Sequence, residues 1–378
     1  VSLPGALVLA EAARGIWPFG GVPVATLAQT QIGGPLAFAS RLGGGLLIAA
    51  LVGVTGVALA ALARRAWRQA AVAVAVVAAG TVGGLVAPSG RAVGTVDVAV
   101  VQAGGERGLR AVDNPSAPGF GAALAAAQEL PAGVDLVLWP EDGVKVEGEV
   151  QASPRGQVVA DLARQLGTTF VSGVSQREGD RFRNLAVAWG PDGEVVDRYQ
   201  KNQRVPFGEY IPLRSVLSGV VDLRAVPRDA VAGRGAGLLA TPAGDLGVMI
   251  SYEVFFSHRA RAAVTAGAGV LLVPTNASSF PSTQMPALEL GAARLRAIET
   301  GRAVVQAAPT GFSAIIDSSG TVHRQSDLGA PAVLRGAVER RTGSTPYTRL
   351  GDGPVVALAA LAVAGPWAAE RIRRRPPR

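Results

Sequence analysis

LGVMISYE, Leu246–Glu253, runs apolar from Leu246 to Ile250 and then turns polar at Ser251, Tyr252 and Glu253. An uninterrupted apolar run of this length has the pattern of a buried strand that ends at a small hydroxyl. HRARAAVTAGAG (His258–Gly269) follows as a helix and GVLLVPTNA (Gly269–Ala277) as a second buried strand. Strand, helix, strand is the unit of a layered α/β domain.

The same alternation extends in both directions. Upstream, VDVAVVQ (Val96–Gln102) reads as a strand, FGAALAAAQELPAG (Phe120–Gly133) as a helix and DLVLWPE (Asp135–Glu141) as a strand. GQVVADLARQLG (Gly156–Gly167) reads as a helix and TTFVSGVS (Thr168–Ser175) as a strand. NLAVAWGPDGEVVDRYQK (Asn184–Lys201) is a hairpin that turns at Pro191-Asp192-Gly193. Downstream, ALELGAARLRAIETGR (Ala287–Arg302) is a helix with a basic polar face, and AVVQAAPTGFSAIIDSSGTV (Ala303–Val322) is a hairpin turning at Asp317-Ser318-Ser319-Gly320. GRGAG (Gly233–Gly237) lacks the G-x-G-x-x-G spacing and opens no helix, which excludes a dinucleotide site there.

Three polar positions stand out against this frame. Glu141 ends an apolar strand after Trp139-Pro140, and a carboxylate buried at a strand end has a raised pKa and can act as a general base near neutrality. Lys201 precedes a shaped loop, VPFGEYIP (Val205–Pro212), and a fixed ammonium can stabilise the oxyanion of a tetrahedral intermediate. Glu209 in that loop is placed to orient Lys201 or a substrate. Ser251 at its strand end is a candidate nucleophile. No GxSxG elbow surrounds it and His258 lies seven residues on, so a Ser-His-Asp triad is not the reading.

In order, WPEDG (Trp139–Gly143), YQKNQRVPFGEYIP (Tyr199–Pro212) and ISYEVFF (Ile250–Phe256) supply a carboxylate, a lysine and a nucleophile position. The chain resembles the nitrilase, or carbon–nitrogen hydrolase, superfamily, and within it more closely the apolipoprotein N-acyltransferase family. The resemblance is carried by VPFGEYIP, the SYE triplet, VPTNASSF (Val273–Phe280) and ARLRAIETGR (Ala293–Arg302) before APTGFSAIIDSSG. EAARGIWPFGGVPVATLAQTQ (Glu11–Gln31) is similar to the family's segment after its fifth span. The resemblance implies an α/β fold: a nitrilase-like α-β-β-α sandwich inserted between transmembrane helices. It implies Glu141 as general base, Lys201 as oxyanion stabiliser and Ser251 at the nucleophile position, with Glu209, Tyr252 and Glu253 supporting the pocket. It also implies a two-step reaction, in which an acyl chain passes from a phospholipid donor to the nucleophile and then to the α-amino group of a diacylglyceryl-cysteine at a lipoprotein N-terminus.

The sequence departs from that family in three places. The usual nucleophilic cysteine is Ser251, and the chain has no cysteine at all. A thiol ionises near pH 8.5, whereas a serine hydroxyl needs strong base assistance. The family's Gly-Phe-Pro-Trp motif reads Gly21-Val22-Pro23-Val24. VSLPGALVLAEAARG, from Val1, looks like the end of a span whose beginning is absent, which points to a fragment or an alternative start codon.

Composition agrees with a membrane protein. Of 378 residues 49% are hydrophobic and 17% charged, and the mean hydropathy of +0.31 is high for a soluble domain. Leu42–Ala63 and Gln69–Gly90 are charge-free, each roughly 20 residues, enough to cross about 30 Å of hydrocarbon. Gly353–Ala369 is shorter, contains Pro366 and precedes the basic RIRRRPPR. Arg64, Arg65 and Arg68, together with Arg371, Arg373, Arg374, Arg375 and Arg378, place both flanks in the cytoplasm by the positive-inside rule. The domains expected are a membrane region over 1–90, an extracytoplasmic carbon–nitrogen hydrolase-like domain over 91–350, and a C-terminal span with a basic tail over 351–378, in a multi-pass protein of the cell membrane. The net charge of +8 sits largely in the flanks and reports orientation and anionic lipid. A nucleic-acid partner is excluded, because no basic face carries aromatics or a known motif. Without cysteine, and with only His258 and His323, neither a disulfide nor a Cys- or His-rich metal site is expected, and no cofactor is indicated. Oligomeric state is not legible.

Three functions fit these residues: an acyltransferase using Ser251, a catalytically impaired relative that binds lipid or lipoprotein, and a membrane-tethered amidase or nitrilase.

Overall fold

The computed structural model describes residues 2–106, 108, 119–217, 226–280 and 282–373. The chain divides into two compact units, one of Val1–Gly90, Ile298–Gly301 and Ser344–Arg378, the other of Arg91–Ala297 and Arg302–Gly343.

The first unit begins with helix α1 (Leu3–Arg14), whose first turn is capped by Ser2 Oγ accepting from Gly5 N. Helices α2 (Ser40–Ala63) and α3 (Trp67–Val86) follow. Both, α2 with its leading turn from Pro35, are long and apolar enough to cross a membrane by length and composition. They pack closely through small residues. A Cβ on Gly84 would lie 2.4 Å from the Phe38 carbonyl. α2 is kinked at Gly43-Gly44; Gly44 has φ +66 and ψ −167, a conformation open essentially to glycine alone. The helix expected to reach Gly90 ends at Val86, because Ala87 precedes Pro88 and is extended.

In the second unit, β1 (Arg91–Gln102), helix α4 (Gly119–Gln128), β2 (Leu136–Leu138), β3 (Val144–Glu147), α5 (Pro154–Leu166), β4 (Thr169–Glu178), β5 (Arg181–Trp189) and β6 (Val195–Gln200) come first. The short α6 (Arg214–Leu217) and β7 (Asp229–Ala230) follow. Then come β8 (Leu238–Thr241), β9 (Gly244–Val248), α7 (Ser257–Thr265), β10 (Val270–Pro274), α8 (Gln284–Thr300), β11 (Val304–Ala307), β12 (Ala314–Ile316), β13 (Val322–Gln325) and β14 (Ala332–Thr342). Among the described residues these strands make two sheets. One runs β14-β1-β2-β4-β5-β6, with β3 beside β4 and β7 beside β5; the other runs β13-β12-β11-β10-β9-β8.

Side-chain alternation builds the layers. On β1, Val96, Val98 and Val100 face the second sheet, where they meet Leu246, Val248, Val270, Leu272 and Val305. Ala99 and Val101 point the other way, onto Ala123 and Ala127 of α4 and Val159 and Leu162 of α5. Trp139 is the centre of this outer core, edge-on to Phe120 and Phe170. On the far side of the second sheet α7 lies so close that a Cβ on Gly247 would sit 3.0 Å from that of Ala263. The order is helix, sheet, sheet, helix.

Five local expectations need correction. The strand before Ser251 ends at Val248; Met249 N still donates to Leu272 O at 3.0 Å, and the chain then enters a 3₁₀ turn, Ser251–Phe255. Helix α4 stops at Gln128, ahead of Pro131 and Gly133. The basic face expected on α8 is in part turned inward: Arg296 is buried, with Nη1 donating to Ser257 Oγ at 2.6 Å, while Arg294 is half-buried. Arg302, just beyond α8, is buried too, and its Nε and Nη2 donate to the carbonyls of Ala268 and Gly343, each at 2.8 Å. β14 is an unexpected strand; it returns antiparallel to the edge of β1, from Arg91↔Thr342 to Gln102↔Ala332. The last helices, α9 (Pro346–Leu350) and α10 (Gly353–Arg373), belong to the first unit, and α10 continues through Pro366 within a run of good helix formers. Arg374, Arg375 and Arg378 of the expected basic tail lie outside the described residues.

Candidate active site

Each of the three polar positions stands just beyond a strand. Glu141 follows β2, held by Trp139 N donating to Val171 O at 2.8 Å and Gly173 N donating to Pro140 O at 3.1 Å. Gly173 is required there, because a Cβ on it would lie 2.5 Å from Glu141 Cα. Lys201 follows β6 and is fixed by its own N–H donating to Asn184 O at 2.8 Å. Ser251 opens the 3₁₀ turn after β9 with φ +48, a left-handed conformation unusual for a non-glycine residue and a mark of local strain. That kink turns its side chain out of the strand direction.

The structure brings these residues into the wall of one cavity of about 490 Å³, which Glu209, Tyr252 and Asn184 also line. Lys201 Nζ donates to Glu141 Oε1 at 2.8 Å and to Glu209 Oε1 at 2.9 Å, with the lysine side chain 2% exposed. Asn184 Nδ2, on β5, bridges the same two oxygens at 2.6 and 2.9 Å. Glu209 Oε2 accepts from Val205 N at 2.7 Å, which closes the loop expected to be shaped.

Burial pushes Glu141 up to about 7; the Lys201 ammonium opposes this, while the Glu209 and Asp142 charges reinforce it. Burial alone would depress Lys201, but the two carboxylates outweigh it and hold the ammonium well above its ordinary value. The site therefore keeps a permanent cation beside a carboxylate that exchanges its proton near neutrality.

Glu253 does not face the cavity. Its Oε1 accepts from Tyr199 Oη at 2.7 Å, Asn202 N at 2.8 Å and Gln203 N at 3.0 Å, and its Oε2 accepts from Ile250 N at 2.9 Å. It ties the backbone just after Lys201 to the backbone just before Ser251. His258 packs edge-on against Phe256, and burial, the largest cause, together with nearby arginines drives its pKa down to about 4, so it is neutral at pH 7.

Two residues of the site were not anticipated. Asn184 was read only as the start of a hairpin. Glu289, on α8, is buried, and its Oε1 accepts from Thr275 Oγ1 at 2.7 Å and from Ser251 Oγ at 3.4 Å. The sequence reading of its helix is a basic polar face, which does not single out Glu289. A sequence signal existed: Glu289 shares a helical face with Ala292, Ala293 and Arg296, and all four are buried.

Residues 97–347 match the family described as carbon-nitrogen hydrolase, and the chain belongs to that family. Its relatives there carry a narrower name. It is 35% identical over 246 residues to an apolipoprotein N-acyltransferase of Geobacter metallireducens, an alignment that covers 64% of this chain and 46% of that protein. It is 27% identical over 384 residues to the apolipoprotein N-acyltransferase of Vibrio vulnificus, which covers 97% and 74%. Among solved structures, Saccharomyces cerevisiae Nit3, described as a member of branch 10 of the nitrilase superfamily, is similar at a TM-score of 0.49 and 18% identity over 65% of this chain and 90% of that one. The chain spans about half the length of the first curated relatives it matches.

Proposed function

We propose that this protein is an apolipoprotein N-acyltransferase that works through an ester on Ser251. The observation that carries the reading is the placing of Ser251, Lys201 and Glu141 on one cavity, with Lys201 held charged between two carboxylates. In the first step Ser251 Oγ attacks the ester carbonyl of a phospholipid, the Lys201 ammonium stabilises the oxyanion, and a lysophospholipid leaves. In the second step the α-amino group of a diacylglyceryl-cysteine attacks the Ser251 ester, the C–N bond forms as the C–Oγ bond breaks, Glu141 takes the amine proton and passes it to the departing Ser251 Oγ, and the amide product leaves. Glu209 and Asn184 position Lys201 and Glu141, and Glu253 positions the two loops. Tyr252 forms the wall beside the nucleophile.

Cavity chemistry favours a lipid over a small amide. Phe182, Phe255, Phe280 and Met285 give it apolar wall, and Lys145, Arg177 and Arg228 give it positive charge for a phosphate headgroup. The first unit supports a membrane location: α2 and α3 expose Leu59, Trp67, Val72, Val82 and Val86, and α10 exposes Leu358 and Leu361. In this reading 1–90 and 351–378 hold the protein in the cell membrane as a multi-pass anchor. Residues 91–350 form the catalytic domain on the extracytoplasmic side, because Arg64, Arg65 and Arg68 join α2 to α3 on the cytoplasmic side.

The test is transfer by the purified full-length protein in phospholipid vesicles to a synthetic diacylglyceryl-cysteinyl peptide. One fatty-acyl mass gained on the peptide amine, and lost with Ser251→Ala, supports the reading. Turnover of small amides without lipid would replace it with an amidase. Tight peptide binding with no transfer would replace it with a binding protein.

A further inference from the structure

Ser251 poses a chemical question that a cysteine in its place would not. A thiol ionises far more readily than a serine hydroxyl, which must hand its proton to a base as it attacks. The hydrogen bond from Ser251 Oγ goes to Glu289 and not to Glu141. Glu141 Oε1 is meanwhile occupied by Lys201 and Asn184.

We propose that Glu289 is a catalytic residue, the carboxylate that accepts the Ser251 hydroxyl proton, and that Glu141 is left to serve the second step. The placement is built from three separate elements. Ser251 sits on the strained turn after β9, Thr275 stands just beyond β10, and Glu289 is on the first turns of α8. Thr275 is fully buried and donates to the same Oε1 that faces Ser251, which fixes the carboxylate's direction. The 3.4 Å from Ser251 Oγ to Oε1 is long for a hydrogen bond, but catalytic contacts commonly tighten only when substrate is bound. Glu289 also lines the cavity, so it meets the reacting atoms directly. Its pKa is pushed up to about 7 by burial, against the lowering effect of the Thr275 and Ser251 hydrogen bonds and of the Lys201 charge. Such a group is both ionised and basic at neutral pH. The groups that face it are Thr275, Ser251 and, at longer range, Lys201.

The inference rests on Ser251 being the nucleophile, as in the proposed function. In the first step the Oγ–acyl carbon bond forms and the ester C–O bond to glycerol breaks. The proton moves from Oγ to Glu289, and from there to the departing glycerol oxygen, so the lysophospholipid leaves neutral at that atom.

The experiment uses a probe that needs no lipid. A fluorophosphonate reacts with an activated serine: the Oγ–P bond forms, fluoride leaves and the serine proton passes to the base. The full-length protein is treated over pH 5–9 and adduct on Ser251 is timed by mass spectrometry. The wild type is expected to label with a rate that rises through about pH 7. Glu289→Gln is expected to label about 10²-fold or more slowly and to lose that rise. Thr275→Val carries the test if Glu289→Gln does not fold. It removes a donor to the charged carboxylate, so the midpoint is expected to move upward with the plateau kept. Wild-type rate and pH profile in Glu289→Gln, an unmoved midpoint in Thr275→Val, or no labelling of wild-type Ser251 would each overturn the assignment. A wild type that labels through Glu289 but is never acylated by phospholipid would support the assignment and retire the phospholipid reading alone.

Discussion

Lys201 Nζ lies 2.8 Å from Glu141 Oε1 with both side chains almost sealed from water, at 2% and 7% exposure. A buried pair is weak evidence for stability when intact, but removing one member leaves a charge with no solvent and no partner. Lys201→Met would leave Glu141 and Glu209 side by side without their cation, bridged by the neutral Asn184 amide. The expected loss is about 3–5 kcal/mol of unfolding free energy. Acyl transfer should be lost as well. Denaturant titration beside the transfer assay checks both.

The pH dependence of stability and of activity should run in opposite directions. Glu141 and Glu289 are each raised from an ordinary 4.5 to about 7. Between those values the folded protein keeps protons that the unfolded chain has released. Stability is therefore greatest below about pH 4.5 as far as these groups are concerned, and it falls as pH rises through about 7. The decline is at most about 3 kcal/mol for each group. The raised pKa of Lys201 has no effect in this window, since an unfolded lysine is also protonated there. Activity needs the ionised carboxylates and should climb through about pH 7. Thermal midpoints and transfer rates measured in the same buffers from pH 5 to 9 should cross.

Gly173→Ala should disable the site without touching a polar group. The new methyl would lie 2.5 Å from Glu141 Cα and 2.6 Å from Pro140 O, both backbone atoms, so the segment that carries Glu141 must move. Overpacking of this kind costs about 1–3 kcal/mol. A misplaced base is expected to cost about 10²-fold in rate. Serine reactivity should fall less than transfer, because Ser251 and Glu289 stand on other strands and helices.

Glu253→Gln should act through position. The carboxylate collects four donors, three of them backbone N–H groups. An amide NH₂ would turn toward one of those donors and leave it unsatisfied, at a cost of about 1–3 kcal/mol. Both the Lys201 loop and the Ser251 turn should loosen, visible as faster amide exchange at Asn202, Gln203 and Ile250 together with lower activity.

The sequence placed Glu141, Lys201 and Ser251 at the ends of strands because apolar runs that stop at a polar residue are a local pattern, and the structure sets each just past a strand. The alternation of strands and helices made the layered α/β arrangement legible for the same reason. What stayed hidden depends on distant partners. β14 alternates weakly, with Arg335, Glu339 and Arg341 among its residues, and becomes a strand through its ladder with β1. Glu289, Arg296 and Arg302 have charged side chains that composition alone assigns to a surface, yet they are buried because hydroxyls and carbonyls from other segments satisfy them. Asn184 reads as an ordinary strand residue until Lys201 and Glu209 are folded beside it.

The central claim is an acyl ester on Ser251, and intact-mass spectrometry of the full-length protein after incubation with phospholipid measures it directly. The account predicts one fatty-acyl increment on the wild type and none on Ser251→Ala. An increment found only in Ser251→Cys, or one that persists in Ser251→Ala, would contradict it.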